Sequence, residues 1–283
     1  MGWSFVRQAI GRACPRLRDF GRTHWQYRFV FGRPPSLLFP KTFNEKLQRR
    51  KIFDRDRRLP TLVDKVLVKD FVAAKLGPEW VTKTLWHDTA LPPLAARNWP
   101  IPYVLKANHG SGMNYCVRSN DEIDWPRMER LCEKWLREIY GDWGGEWAYY
   151  SIKPQLLVEP FFGKDGELPV DYKLWTFSGR VEFIQVDTDR QHAHKRTMFD
   201  RSWNRMPFTT IYEIDQREIV PPQSLQRMIR AAEILSDGMS FARIDLYEID
   251  GSPRFGEVSL YPDSGVGRFI PAEFDRRIGS LWR

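Results

Sequence analysis

Two carboxylates near the end of the chain, Asp245 and Glu257, lie within the stretch FARIDLYEIDGSPRFGEVSL, equidistant from Gly251. Side chains on a strand alternate with period two, so a loop centred on Asp250, Gly251 and Ser252 sets the two acids directly opposite each other. Arg243 and Ser259 form the next pair on that face. A strict two-residue Asp-Gly turn shifts the register by one and separates the acids. Facing carboxylates repel unless a cation sits between them. Mg²⁺ suits such a place, because it takes hard oxygen ligands, keeps several waters and binds phosphates alongside one or two protein carboxylates. The simpler reading leaves one acid solvated and pairs the other with Arg243.

A second pattern is YVLKANHGSGMNYCV, residues 103–117. Lys106 at a strand end suits phosphate oxygens, and Gly110 and Gly112, either side of Ser111, let a backbone approach phosphate and turn N–H groups toward it. The spacing is neither a Walker loop nor G-x-G-x-x-G, and a glycine hairpin beside a surface lysine accounts for the same letters. A third is the basic stretch DTDRQHAHKRTMFD, residues 187–200, read as a loop that covers phosphates or binds an anionic substrate. His194 there is either a proton acceptor for an incoming amine or solvated. His192 and His194 lack a third ligand for a metal. In GDWGGEWAYYSIKP, Trp143, Trp147, Tyr149 and Tyr150 are either sugar-stacking rings or core, and most of the 12 tryptophans are expected in the core.

The elements that must position these groups alternate in type. Thr42 and Glu45 form a capping-box signal before FNEKLQRRKIFD. LVDKVLVKDFVAAKL, residues 62–76, reads as one helix ended by Gly77, and residues 124–140 carry Met128, Leu131, Cys132, Trp135, Leu136 and Ile139 on one helical stripe. Strands are expected around Lys106, at residues 156–159, and in a hairpin LPVDYKLWTFSGRVEFIQVD turning at Ser178-Gly179. A helix at residues 224–236, closed by Gly238, precedes the acidic hairpin. Mixed strands and helices with antiparallel pairs predict an α+β fold. No internal repeat or low-complexity segment interrupts it.

The 283 residues, 42% hydrophobic, suffice for one large domain or two smaller ones. A net charge of +8 favours anionic partners. The basic residues are dispersed among acids and form no known nucleic-acid module, so no nucleic acid is expected. Three scattered cysteines, Cys14, Cys116 and Cys132, fit a reducing compartment without a disulfide. No stretch approaches the roughly 18 apolar residues of a membrane span, and a cytoplasmic location is expected. Residues 1–20, MGWSFVRQAIGRACPRLRDF, read as a helix packed on its own domain or as a basic amphipathic helix on a membrane surface. Val6 stands where a myristoylation signal wants Ser or Thr.

The order of these motifs resembles the ATP-grasp superfamily: Asp64-Lys65, then VLKANHGSGM, then LLVEPFF, then ARIDLYEIDGSPRFGEVS. More narrowly, TFNEKLQ, LVDKVLVKDFVAAKLG, DYKLWTFSGRVEFIQVD, DRSWNRMPF and FGEVSLYPDSG resemble the TupA-like ATP-grasp family, from about Lys41 to the C-terminus. The resemblance implies two α+β subdomains with a nucleotide cleft between them, residues 61–160 holding the phosphate loop and 161–283 the metal, preceded by a helical segment over 1–60. It implies ATP and Mg²⁺ as cofactors. Lys65, Lys106, His109, Gly110, Ser111, Gly112 and Lys173 would serve the nucleotide, with Glu159 beside adenine and ribose. Asp245, Glu257 and Ser259 would hold Mg²⁺. Ser259 replaces the asparagine common in the superfamily, which leaves one metal or two open. Arg243 would stabilise developing charge, with His194 and Arg196, matching a family H-x-R pattern, on the acceptor side. The implied activity is a carboxylate–amine ligase of cell-surface polysaccharide or teichuronopeptide synthesis, with an acidic polysaccharide or its precursor as partner; the basic N-terminus leaves contact with the inner face of the membrane open. A kinase acting on a hydroxyl and a sugar-nucleotide glycosyltransferase are the alternatives.

Overall fold

The computed structural model describes residues 15–163, 168–190 and 192–283. Most of the amphipathic stretch expected at residues 1–20, including Cys14, lies outside them. Helix α1 (Pro15–Phe31) leads into α2 (Phe43–Phe53), which starts as its capping box predicts: Thr42 accepts from the Glu45 N–H at 3.1 Å, and Glu45 accepts from the Thr42 N–H at 3.2 Å.

The helix expected over residues 62–76 is broken into α3 (Leu59–Val63) and α4 (Leu67–Leu76). Asp64 causes the break. Its backbone N–H closes α3 on Pro60 O at 3.2 Å, while its carboxylate starts α4 by accepting from the N–H groups of Val66 at 2.8 Å and Leu67 at 3.3 Å. Lys65 is thereby held at a kink instead of on a helix flank. Gly77, with φ +105°, ends α4 as expected.

Four strands, β1 (Trp86–Asp88), β2 (Tyr103–Ala107), β3 (Asn114–Val117) and β4 (Leu156–Pro160), form an antiparallel sheet in the order β1-β4-β2-β3. Helix α5 (Trp125–Arg137) covers it, burying Met128, Cys132 and Trp135. Ile139, expected on the same stripe, lies beyond the helix and is exposed.

The second sheet orders β10 (Ser252–Ser259), β9 (Phe241–Ile249), β5 (Asp171–Phe177), β6 (Arg180–Thr188) and β7 (Lys195–Asp200), all antiparallel. The β5–β6 hairpin turns at Ser178-Gly179, both at positive φ, as expected. The stretch expected as a basic loop over residues 187–200 is instead half strand: Arg196 pairs with Asp187 across β7 and β6. One face of this sheet, with Leu174, Ile184, Ile244 and Leu246, packs on α6 (Leu225–Leu235) and joins the larger hydrophobic core. That core also takes Phe43, Leu47, Val63, Val68 and Val72 from α2 to α4, and Phe274 and Ile278 from α7 (Glu273–Leu281). Two short strands, β8 (Thr209–Thr210) and β11 (Phe269–Ile270), pair beside it.

The acidic hairpin reaches the expected pairing by an unexpected route. Its turn is the strict two-residue Asp250-Gly251, with both residues at positive φ and Ser252 opposite Ile249. On its own that register separates Asp245 from Glu257. A β-bulge at Gly256 inserts one residue between Phe255 and Glu257, and beyond it Glu257 lies opposite Asp245 and Ser259 opposite Arg243. Glycine is required there: a Cβ would stand 3.0 Å from Asp245 O and 2.9 Å from the Tyr247 ring. Gly256→Ala should therefore cost about 1–3 kcal/mol, read as a lower urea midpoint. A midpoint equal to wild type would show that the bulge absorbs a side chain.

Candidate active site

Between the two sheets lies a cleft of about 380 Å³, within the size of small-ligand sites. Its walls come from β2, β3 and β4 on one side and β5, β7, β9 and β10 on the other. Among the described residues that line it are seven lysines and arginines against four aspartates and glutamates, a surplus that suits a polyanion.

On the four-stranded side, Lys106 donates to Glu159 Oε2 at 2.6 Å, and Lys69 from α4 pairs with the other oxygen of the same carboxylate. Burial pushes Glu159 up, and the two lysines more than offset this, holding it below the usual carboxylate range. Lys69 itself is pushed down by burial. Lys65, freed by the helix break, donates to Gly110 O at 2.7 Å and stands 3.3 Å from Glu257 Oε2. It links the glycine turn of one sheet to the acidic hairpin of the other. Gly110, Ser111 and Gly112 all line the cleft, and Gly112 has φ +73°.

The five-stranded sheet turns a charged face to the cleft. Period-two alternation places Asp171 and Lys173 of β5, Asp187 of β6, Arg243 and Asp245 of β9, Glu257 of β10 and Arg196 of β7 on that side. Lys173 pairs with Asp171 and stands 3.3 Å from Asp245 Oδ2 and 3.9 Å from Asp187 Oδ2. Burial lowers Lys173, but the acids, Asp171 foremost, carry it above its ordinary value. Asp187 holds Arg196 at 2.8 Å and lies 3.5 Å from His194, whose ring stacks on Tyr212 at 3.7 Å. Burial raises Asp187, yet His194, Arg196 and Lys173 bring it well below its ordinary range.

Asp245 and Ser259, expected as metal ligands, are both engaged by Arg243. Its Nε and Nη2 donate to the two oxygens of Asp245 at 2.8 and 2.7 Å, and Nη2 also donates to Ser259 Oγ at 2.8 Å. The repulsion expected between Asp245 and Glu257 is met by protein cations: Arg243 and Lys173 at Asp245, Lys65 at Glu257. Burial pushes Glu257 up, and Lys65 and Arg243 bring it below its ordinary value. Its side chain remains 34% exposed. No cluster of three or more His, Cys, Asp or Glu spaced to hold a metal occurs among the described residues. His109 is buried, its Nε2 3.1 Å from Trp135 O and 3.2 Å from Glu138 O, so it secures the glycine turn to the end of α5 and does not line the cleft.

Sequence reasoning passed over Lys69, Asp171, Arg190 and Asp263, all of which line the cleft. Asp171 was legible, two residues before Lys173 on one strand face. Its Oδ2 pairs with Arg190 at 3.2 Å, while its buried Oδ1 has no hydrogen-bond partner among the described residues. Asp263 carries no such signal. It and Ser264 both have left-handed φ, +47° and +52°, a conformation costing about 1–2 kcal/mol per residue. Helix α2 holds them: Lys51 Nζ donates to Ser264 O at 2.6 Å and to Ser264 Oγ at 2.9 Å, and Gln48 Nε2 donates to Gly265 O at 2.6 Å. Asp263 then stands 3.4 Å from Arg196 at the cleft.

A profile of the family described as TupA-like ATPgrasp matches residues 45–283, and the chain belongs to that family. No curated protein matches it. Among solved structures it is similar to D-alanine–D-alanine ligase from Bacillus anthracis, at 17% identity over 71% of this chain and 57% of that one, with a TM-score of 0.43. It is likewise similar to L-amino acid ligase from Bacillus licheniformis, at 14% identity over 86% of this chain and 49% of that one, with a TM-score of 0.42. The chain thus spans about half the length of these two relatives. ATP and Mg²⁺ are the cofactors of ATP-grasp ligases, and the cleft fits them: a cationic wall with a glycine turn for phosphates, and the half-buried Glu257 and Asp171 Oδ1, unpartnered among the described residues, as carboxylate oxygens.

The buried prop at Ser264 has a pH signature. Burial pushes Lys51 down to about 8 from an ordinary value near 10.5. Between those values the unfolded chain binds more protons than the folded one, so the contribution of Lys51 to stability rises with pH. Wild type should therefore gain stability relative to Lys51→Met from about pH 8 to pH 10, measured by urea unfolding. A gap that is constant or narrows over that window would contradict the assignment.

Proposed function

We propose that the protein is an ATP-dependent carboxylate–amine ligase that activates an acid as its acyl phosphate and releases ADP and phosphate on amide formation. The convergence of Lys65, Lys106, the Gly110–Gly112 turn and Glu257 on one cleft carries this reading. ATP with Mg²⁺ supplies the phosphoryl group that turns a poor electrophile into a good one.

The roles of the chain's own residues follow from their partners. Lys65, Lys69 and Lys106 neutralise phosphate oxygens, and the glycine turn offers N–H groups to them. Glu159, gripped by two of these lysines, fixes their reach beside the nucleoside. Glu257 and Asp171 would hold Mg²⁺, which keeps waters and needs few protein ligands. Asp245 and Ser259 orient Arg243, whose guanidinium faces the charge that develops on the reacting group. Lys173 pairs with Asp171 and lies near Asp245 and Asp187, so it holds the three acids in one cluster. Arg196 and His194, backed by Asp187, serve the acceptor side, with His194 as proton acceptor. In this reading residues 61–160 carry the phosphate loop and 161–283 the metal. The acid is a uronic or glutamyl group of a surface polysaccharide or its precursor, and the location is cytoplasmic, at the inner face of the membrane.

The test is nucleotide and product analysis with purified protein, ATP, Mg²⁺, and panels of uronic or glutamyl acids and of amines. ADP and phosphate should appear in amounts that require both acid and amine. Lys106→Ala and Glu257→Ala should each lower turnover by about 100-fold or more, with circular dichroism unchanged. A stable phosphoester would make the protein a kinase, and consumption of a sugar nucleotide without ATP would make it a glycosyltransferase.

A further inference from the structure

Helix α1 is amphipathic with its faces reversed. At 3.6 residues per turn, Asp19, Thr23, Gln26 and Tyr27 share one side, and all four are buried. The side facing away carries Leu17, Trp25 and Phe29, which are 60%, 56% and 74% exposed, with Phe20 at its flank. Polar contacts hold the helix this way round. Asp19 accepts from the Tyr150 hydroxyl at 3.0 Å and from Arg55 at 3.2 Å, and Gln26 Oε1 accepts from buried Lys51 at 3.2 Å. Rotating the helix to bury its rings would leave these groups unpaired.

The outward face is organised. Trp25 stacks on Phe29 at 5.5 Å between ring centroids and meets Trp143, itself 61% exposed, edge-on at 5.9 Å. Arg28 sits on the same face and is exposed, and Arg18 and Arg22 on that side pair with Asp142, the neighbour of Trp143. The one acid of the helix, Asp19, is turned inward.

We propose that this face docks on an anionic phospholipid bilayer, with Trp25, Phe29 and Trp143 at the headgroup boundary and Arg28 against lipid phosphates. Aromatic rings interleaved with arginine suit that boundary, where an apolar body and a charged tip are both satisfied. A two-fold contact between copies of the chain would press a face of net positive charge, with Arg18, Arg22 and Arg28 against Asp142, onto itself, which charge disfavours. The inference deepens the membrane location proposed above and does not depend on the chemistry of the cleft.

The test uses the full chain and sedimentation with two kinds of vesicle: phosphatidylcholine containing phosphatidylglycerol, and phosphatidylcholine alone. The wild type should pellet with the first, less so at raised salt, and much less with the second. Trp25→Ser combined with Phe29→Ser should lower the bound fraction about tenfold or more. Arg28→Glu should weaken binding mainly to the anionic vesicles. Both variants should keep wild-type circular dichroism and ATP affinity. Equal pelleting of wild type and the double variant, or none above the phosphatidylcholine control, overturns the proposal. A stable dimer that the double variant dissolves overturns it too, in favour of a second copy. Because ATP affinity is measured on the same samples, a protein that binds ATP but no vesicles sinks only the docking surface. One that binds vesicles but no ATP sinks only the ligase reading.

Discussion

Ionised groups on the inner face of the five-stranded sheet stay buried because each has an opposite charge within reach, and Lys173 at the centre links most of them. Across the strands it lies beside Asp245, and along its own strand it lies beside Asp171, with Asp187 further off. The desolvation of such charges is offset only when partners and geometry are both present. Removing one member would leave the others uncompensated, so the lattice couples β5, β6, β7 and β9 electrostatically as well as through their backbone ladders. The opposite wall follows the same rule on a smaller scale, where Glu159 holds two lysines that would otherwise repel each other.

This charged surface becomes a site because local irregularities aim its members. The break at Asp64 lets Lys65 cross from α3 and α4 to the glycine turn and to Glu257. The bulge at Gly256 restores an opposition that the two-residue turn alone would have lost. The left-handed pair Asp263-Ser264 is held in place by side chains of α2. Each departs from regular geometry where regular geometry would point a charged group elsewhere, which is where strain and function are expected to coincide.

Helices α1 and α2 therefore do more than precede the two sheets. Lys51 and Gln48 prop the turn that carries Asp263, and Gln26 of α1 reaches Lys51 from behind. A continuous set of polar contacts runs from the buried side of α1 to the rim of the cleft, and the opposite side of α1 presents the aromatic face. One helix thus joins the cleft's support to the outer surface.

Much of this was written in local patterns. The capping box at Thr42, the Ser178-Gly179 turn, the glycine end of α4, and the α+β order are short-range signals, dictated by backbone preference and by alternation over a few residues. The lysine and glycine loop was also legible, whereas the carboxylate pairing was expected from a three-residue loop and arises instead from the bulge at Gly256. What sequence alone did not determine depends on distances between segments remote in the chain. Whether His109 faces the cleft or the end of α5, and that Asp263 reaches the cleft at all, are decided by which elements pack together. The helix over residues 62–76 shows the limit most clearly: apolar spacing is blind to one aspartate that ends one turn and begins the next. Local energies fix elements, while the pairing of buried charge is a property of the assembled fold, because only there do the partners come within reach and lose their water.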